Sequence, residues 1–201
     1  MYFNKLTIFC LFLTSFSASA TTEKILMLGD SLTEGYGVSE EHAYPKILEG
    51  LIVESGKDYQ VINGGVSGST TASGTSRLRW FLKAKPKLVL IALGANDGLR
   101  GVKLSQSKKN LKNIIELATK NNIKVVLAGM RIPPNYGEDY TKQFQKLYID
   151  LAREYKIKRI PFLLKDVAAI KELNIEDGIH PNRKGHKIMA NTVYKYIKEY
   201  L

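Results

Sequence analysis

The chain has 201 residues, enough for one α/β domain and too few for two ordinary ones. Apolar residues make up 44% and charged residues 24%, a balance that excludes disordered, collagen-like and disulfide-scaffold classes. Thirty basic against nineteen acidic residues give a net charge of +11, with a single cysteine and three histidines.

The N-terminus reads as a secretory signal. Lys5 supplies a positive start, Leu6 to Phe16 is apolar apart from Thr7, Thr14 and Ser15, and Ala18-Ser19-Ala20 offers a small-residue cleavage site. The apolar stretch falls short of the ~20 residues a membrane span needs. Cys10 lies inside it and is not preceded by small residues, which argues against a lipid anchor. Cleavage after Ala20 is predicted, leaving residues 21–201 as one domain. Only Lys5 is lost from the charge count, so the 181 remaining residues carry +10 and no cysteine. A periplasmic location follows, with secretion as the alternative.

Beyond the leader, apolar runs alternate with helical stripes. Lys24 to Leu28 reads as a strand buried on both faces, and Pro45 opens a helix carrying Ile47, Leu48, Leu51 and Ile52. Tyr59 to Ile62 is a second strand, followed by a small-residue loop from Asn63 to Gly74. Leu78, Phe81 and Leu82 mark a helix that ends before Pro86. Leu88 to Leu93 is a third strand, Leu111 to Ala118 a helical stripe, and Lys124 to Ala128 a fourth strand. Phe144 to Ala152 is again helical, Ile160 to Leu163 a short fifth strand, and Met189 to Ile197 a final helix. Strands separated by helices imply right-handed crossovers and a parallel sheet.

In such sheets functional groups gather at the carboxyl ends of the strands. There the sequence places Gly29-Asp30-Ser31-Leu32, Gly65-Val66-Ser67-Gly68, Gly94-Ala95-Asn96-Asp97 and, before the last helix, Asp177-Gly178-Ile179-His180. A serine needs a hydrogen-bonded base to become nucleophilic, and that base needs an orienting acid. His180 fits the base for Ser31, and Asp177, three residues upstream, fits the acid. The N–H groups of Ser31 and Gly68 and the amide of Asn96 could serve a developing oxyanion. Ser67 is a rival nucleophile, but Ser69 stands where a G-x-S-x-G elbow needs glycine, so Ser67 reads as loop structure. Asp30 and Asp97 read as supports that bond loop N–H groups beside Ser31 and Asn96. His42 and His186 read as surface positions.

The four blocks, in order and each at a strand end, resemble the SGNH or GDSL hydrolase family. The runs ILMLGDSLTEGYG, LGANDGLRG, RIPPNYG and EDGIHPN are most similar to its exported bacterial members with arylesterase, acyl-CoA thioesterase and lysophospholipase activity. The resemblance implies a three-layer α/β/α, flavodoxin-like sandwich with a five-stranded parallel sheet in order 2-1-3-4-5. It implies Ser31, Asp177 and His180 as the catalytic triad, and Ser31, Gly68 and Asn96 as the oxyanion hole. It further implies an acyl-enzyme without metal or cofactor, and an acyl groove bordered by Gly98, Leu99, Ile132 and Pro133. One departure stands out: Ser69 follows Gly68 where relatives often carry an acid, which bears on local polarity only.

The expected substrates are acyl esters, thioesters or lysolipids. The alternatives are a carbohydrate O-acetyl esterase and a non-catalytic exported binding protein. No metal site is indicated, since the chain past Ala20 has no cysteine and no histidine pair at helical spacing. The glycine loop at 63–74 lacks both nucleotide-binding patterns. Nucleic acid is an improbable partner for an exported basic chain; peripheral contact with anionic lipid fits the charge better. A monomer is the default.

Overall fold

A computed structural model describes residues 22–201. The signal-peptide reading and Cys10 lie outside the described residues.

Five strands, β1 (Glu23–Gly29), β2 (Tyr59–Gly65), β3 (Leu88–Ala92), β4 (Lys124–Ala128) and β5 (Lys158–Ile160), pair in parallel in the order β2-β1-β3-β4-β5. This is the predicted sheet. β1 sits between β2 and β3, pairing Met27 with Asn63 on one side and with Leu90 on the other. The chain reverses its direction of travel across the sheet here, so a crevice opens at the carboxyl end of β1. Residues Ile25 to Leu28 and Leu88 to Leu93 are buried, as continuous apolar runs covered on both faces must be.

Among the described residues seven α-helices accompany the strands: α1 (Ser31–Glu34), α2 (Tyr44–Glu54), α3 (Gly74–Phe81), α4 (Ala95–Leu99), α5 (Leu104–Lys120), α6 (Glu138–Glu154) and α7 (Arg183–Ile197). α2 packs on α7, while α5 packs between α3 and α6. Right-handed crossovers explain the grouping. The step from β1 to β2 runs one way across the sheet, and the three later steps run the other way, so their helices fall on opposite faces. The predicted stripes point inward: Leu111, Ile114, Ile115 and Ala118 on α5, and Phe144, Leu147, Tyr148 and Leu151 on α6, are all buried.

Two differences from the sequence reading have clear causes. The fifth strand ends at Ile160 instead of running from 160 to 163, because Pro161 has no N–H to give the ladder. Leu163 rejoins β4's edge by donating to Gly129 O at 3.0 Å.

The second is His186, which is fully buried and not a surface residue. Its Nδ1 accepts the N–H of Tyr44 at 3.2 Å, and its ring lies nearly parallel to that of Tyr44. Tyr44 opens α2, and its N–H is one of the four that a helix start leaves without an internal partner. Ala43, at the cap position, has no side chain to offer. A histidine from α7 therefore supplies the cap across the layer. His42, by contrast, closes a single 3₁₀ turn and is half-buried.

Burial pushes the pKa of His186 from 6.5 down to about 4. The neutral ring is required in the fold, while the unfolded chain takes up a proton below about 6.5. Stability from this residue is thus full above that value and is lost as pH falls from 6.5 to 4, by about 3 kcal/mol in all. His186→Asn keeps an acceptor for Tyr44 without a titrating group. The stability difference between wild type and variant, from urea titrations at several pH values, should shift toward the variant across this window; a constant difference would refute the burial argument.

Candidate active site

Asp30 follows β1 directly and caps α1, its Oδ1 accepting Leu32 N–H at 3.1 Å. Ser31 is thereby held as the first residue of a one-turn helix at the mouth of the crevice. α1 stops at Gly35, which is left-handed with φ 93°. Asp177 to His180 forms a tight turn on the far wall. Gly178 donates to Ile175 O at 2.9 Å, and Ile175 N–H donates to His180 O at 2.8 Å. Just beyond it Asn182 caps α7, accepting the N–H groups of Lys184 and Gly185.

These elements bring Ser31, His180 and Asp177 into one hydrogen-bonded chain. His180 Nδ1 lies 2.6 Å from Asp177 Oδ2, and His180 Nε2 lies 2.9 Å from Ser31 Oγ. An ionised carboxylate only accepts, so Nδ1 carries the proton and Nε2 is the free acceptor facing the serine. The other carboxylate oxygen, Oδ1, accepts the N–H groups of Ile179 at 2.8 Å and His180 at 2.9 Å. Burial works to raise the Asp177 pKa, but these bonds from His180 and Ile179 outweigh it and hold the carboxyl below its ordinary value. The acid is charged wherever the imidazole needs orienting.

Asp30 is more deeply placed, 1% exposed, and burial lifts its pKa to about 6 against the bonds it accepts. Asn96 Nδ2 faces Asp30 Oδ2 at 3.5 Å and donates to Ser69 O at 3.1 Å. Asp97 is buried beside it, accepting from Thr71 N–H at 2.8 Å, Thr71 Oγ1 at 2.5 Å and Ser107 Oγ at 3.0 Å. Both acids thus support neighbouring loops, as expected.

The glycine loop is clasped from α1 by Glu34, a residue that carried no signal in the sequence. Its carboxylate accepts Ser67 N–H at 2.9 Å and also the Ser67 hydroxyl. The Ser67 hydroxyl is thus engaged by a carboxylate and has no histidine partner, which makes it loop structure. Close approach explains Gly65: a Cβ there would lie 2.0 Å from Glu34 N. Gly68 follows with φ 73°, a left-handed conformation costly for other residues, and Arg100 stands over it. The loop also leans on Asn63, which donates to Glu34 O at 3.2 Å and accepts Gly65 N–H at 2.9 Å.

Beside Ser31 and His180 opens a cleft of about 490 Å³. Leu99, Ile132 and Pro133 line it. Gly98 does not. It is buried, and a Cβ there would meet Ile132 and Phe144 at 2.5 and 2.8 Å, so it is a packing position that lets α4 settle on α6. The remaining apolar wall comes from Phe162, Leu164 and Ile179, which the sequence reading did not single out. Phe162 and Leu164 stand on the loop after β5, a segment with no motif. Tyr36 packs against the His180 ring with centroids 4.7 Å apart, another contact that only the tertiary structure shows.

A parallel α/β sheet with a serine, histidine and aspartate chained at its carboxyl end defines the serine-hydrolase class of site. Comparison with known proteins agrees. Residues 27–188 match the GDSL-like lipase/acylhydrolase family, and the chain belongs to it. It is 39% identical to an arylesterase of Vibrio mimicus over 95% of this chain and 96% of that protein. It is 35% identical to the thioesterase 1/protease 1/lysophospholipase L1 of Escherichia coli K12, over 95% and 90% of the two chains. The crystal structure of TesA superposes with a TM-score of 0.86 at 34% identity, covering 89% of this chain and all of that one.

The Glu34 clasp makes a local prediction. An N–H bond to a carboxylate of this kind contributes about 1 kcal/mol. Glu34→Ala should therefore raise amide hydrogen exchange at Ser67 about fivefold while leaving the strands unchanged. Unchanged exchange would mean that the loop holds its shape without Glu34.

Proposed function

We propose that the chain hydrolyses acyl esters and thioesters, lysolipids included, through an acyl-enzyme on Ser31. Ser31 Oγ attacks the acyl carbon and passes its proton to His180 Nε2. The imidazolium that forms is stabilised by Asp177. The N–H groups of Ser31 and Gly68 and one hydrogen of the Asn96 amide receive the oxyanion. Collapse of the tetrahedral intermediate breaks the bond to the leaving alcohol or thiol, which takes the proton from His180. Water, deprotonated by the same nitrogen, then attacks the acyl-serine and releases the acid. Asp30 and Glu34 act behind these groups, the first holding α1 and the second the glycine loop.

The observation that carries this reading is the 2.6 Å and 2.9 Å hydrogen-bond chain opening onto an apolar cleft. The cleft wall also bears on the alternative. A sugar acetate would place hydroxyl groups against Leu99, Ile132 and Phe162, which offer no hydrogen bonds, leaving Arg131 as the one charged donor on the wall away from the catalytic groups, and burying an unpaired hydroxyl is costly. An acyl chain gains from the same surface. Small ester substrates follow from the family; the thioester and lysolipid range is supported by the relatives' names. Residues 1–20 are proposed as the export signal to the periplasm. Among the described residues no helix is long and apolar enough to cross a membrane.

Ser31→Ala should reduce p-nitrophenyl ester turnover by at least about a thousandfold, with the far-UV circular dichroism unchanged. Asp177→Asn should lower kcat by about a hundredfold or more, because the amide no longer selects the Nδ1–H tautomer. Retained turnover in either variant would remove that residue from the mechanism. In a series of p-nitrophenyl esters from acetate to octanoate, kcat/KM should rise about fourfold per methylene until the cleft is filled, since each buried methylene contributes about 0.8 kcal/mol. A preference confined to acetate would favour the carbohydrate esterase.

A further inference from the structure

The positive charge is not spread evenly. Lys24, Lys87 and Lys124 stand at or just before the starts of three adjacent strands, linked in a row: Lys87 N–H donates to Lys24 O at 2.8 Å and Lys124 N–H to Lys87 O at 2.9 Å. Lys83, Lys85 and Lys120 occupy the turns that lead into β3 and β4. Five of these six are exposed and Lys24 is half-buried. Glu23 lies 3.5 Å from Lys87, Lys57 and Asp58 at the neighbouring start of β2 cancel, and Glu199, next to the Tyr200 ring that Lys124 faces at 5.2 Å, is offset by its ion pair with Lys158 at 2.6 Å. Six lysines against one glutamate leave +5 on this edge, half of the +10 carried by residues 21–201.

The tryptophan of this chain stands on the same edge. Trp80, at the end of α3, is 60% exposed, braced edge-on by the half-buried Phe81, with the Lys83 ammonium 3.7 Å from its ring centroid. An exposed ring beside a lysine ammonium gains a modest cation–π attraction of about 0.5–1 kcal/mol, and the same amphipathic pair suits a bilayer interface, where such rings sit at the headgroup level.

We propose that this amino edge of the sheet, centred on Trp80, Lys83, Lys85 and Lys124, is a docking surface for a bilayer rich in anionic phospholipid. It lies at the end of the sheet opposite Ser31, separated from it by the length of β1, about 20 Å for seven residues. A docked molecule thus holds its cleft toward the aqueous phase. The proposal is independent of the catalytic reading, and its test measures binding alone.

Residues 21–201 are the protein to use, because the leader would bind vesicles by itself and all five strands lie beyond it. Trp80 is the single tryptophan, so its emission reports the contact directly. With phosphatidylcholine vesicles containing one-third phosphatidylglycerol, emission should shift to the blue and the protein should sediment with the vesicles, both reversed by salt. Pure phosphatidylcholine should give neither. The triple variant Lys83→Gln, Lys85→Gln, Lys124→Gln should weaken binding by at least about tenfold, given about 1 kcal/mol per lysine near such a surface. Hydrolysis of a soluble ester should be unchanged in it. An equal loss in a control triple on the outer faces of α5 and α6, Lys108→Gln, Lys142→Gln, Lys146→Gln, would overturn the proposal in favour of net charge. Sedimentation without an emission shift would overturn it too, as would tighter binding to soluble polyphosphate than to vesicles, which would mark a polyanion site.

Discussion

The site hangs from one buried carboxylate. Asp30 sits at the carboxyl end of β1, where the sheet reverses direction, and burial raises its pKa to about 6. A charge in such a place must be compensated or it destabilises the fold by several kcal/mol. The compensation is what shapes the site. Leu32 N–H must point at Asp30, which fixes α1 and with it Ser31, and the Asn96 amide is drawn to the same carboxylate from the end of β3. Arg77 adds a nearby positive charge while its own guanidinium ties Gly29 O and Gly64 O together across β1 and β2. Asp30 thus fixes the end of β1 beside that of β3, and Arg77 ties the same end of β1 to β2.

The opposite wall is built on different physics. Asp177 and His180 belong to one turn, so their contact depends on local backbone and little on distant packing. What the wider fold must supply is the position of that turn relative to Ser31. α7 does this by its contact with α2. His186 accepts Tyr44 N–H, and the Tyr44 hydroxyl pairs with Thr33 Oγ1 at 2.9 Å. Thr33 lies on α1, two residues from the serine. A buried neutral histidine and a buried tyrosine thus connect the helix behind His180 to the helix carrying Ser31.

That division accounts for how much the sequence discloses. The strands were legible because both faces of a parallel sheet are covered, leaving uninterrupted apolar runs such as 88–93. Ser31, Asn96, Asp177 and His180 were legible because each follows or precedes an element boundary and sits with its local partner. Gly98 packs against Phe144 and stays out of the cleft lining, a distinction the sequence does not carry, because a glycine in a polar segment looks alike whether it meets a ligand or a neighbouring helix. His186 was misplaced because capping from another layer leaves no pattern at either end. Phe162 and Leu164 reach the cleft from a loop whose path is set by Pro161 and by Leu163 returning to Gly129. None of that is a periodicity.

The uneven charge has a cause within the fold. Helices in this architecture run antiparallel to their strands, so their carboxyl ends, with the negative ends of their dipoles, collect at the amino edge of the sheet. Lys83 in the turn closing α3 and Lys120 in the last turn of α5 are stabilised there, which accounts for two of the lysines. Lys24 and Lys124 begin strands, whose dipoles are small, and Lys85 has left the helix in a left-handed turn with φ 52°. Helix electrostatics therefore explains a weakly basic edge and leaves an excess on the strand starts. Nor do dipoles give any reason to leave Trp80 in water, since an uncharged ring gains nothing from them. The excess charge and the exposed ring coincide on one edge of the sheet, and a single partner that is both anionic and apolar satisfies both.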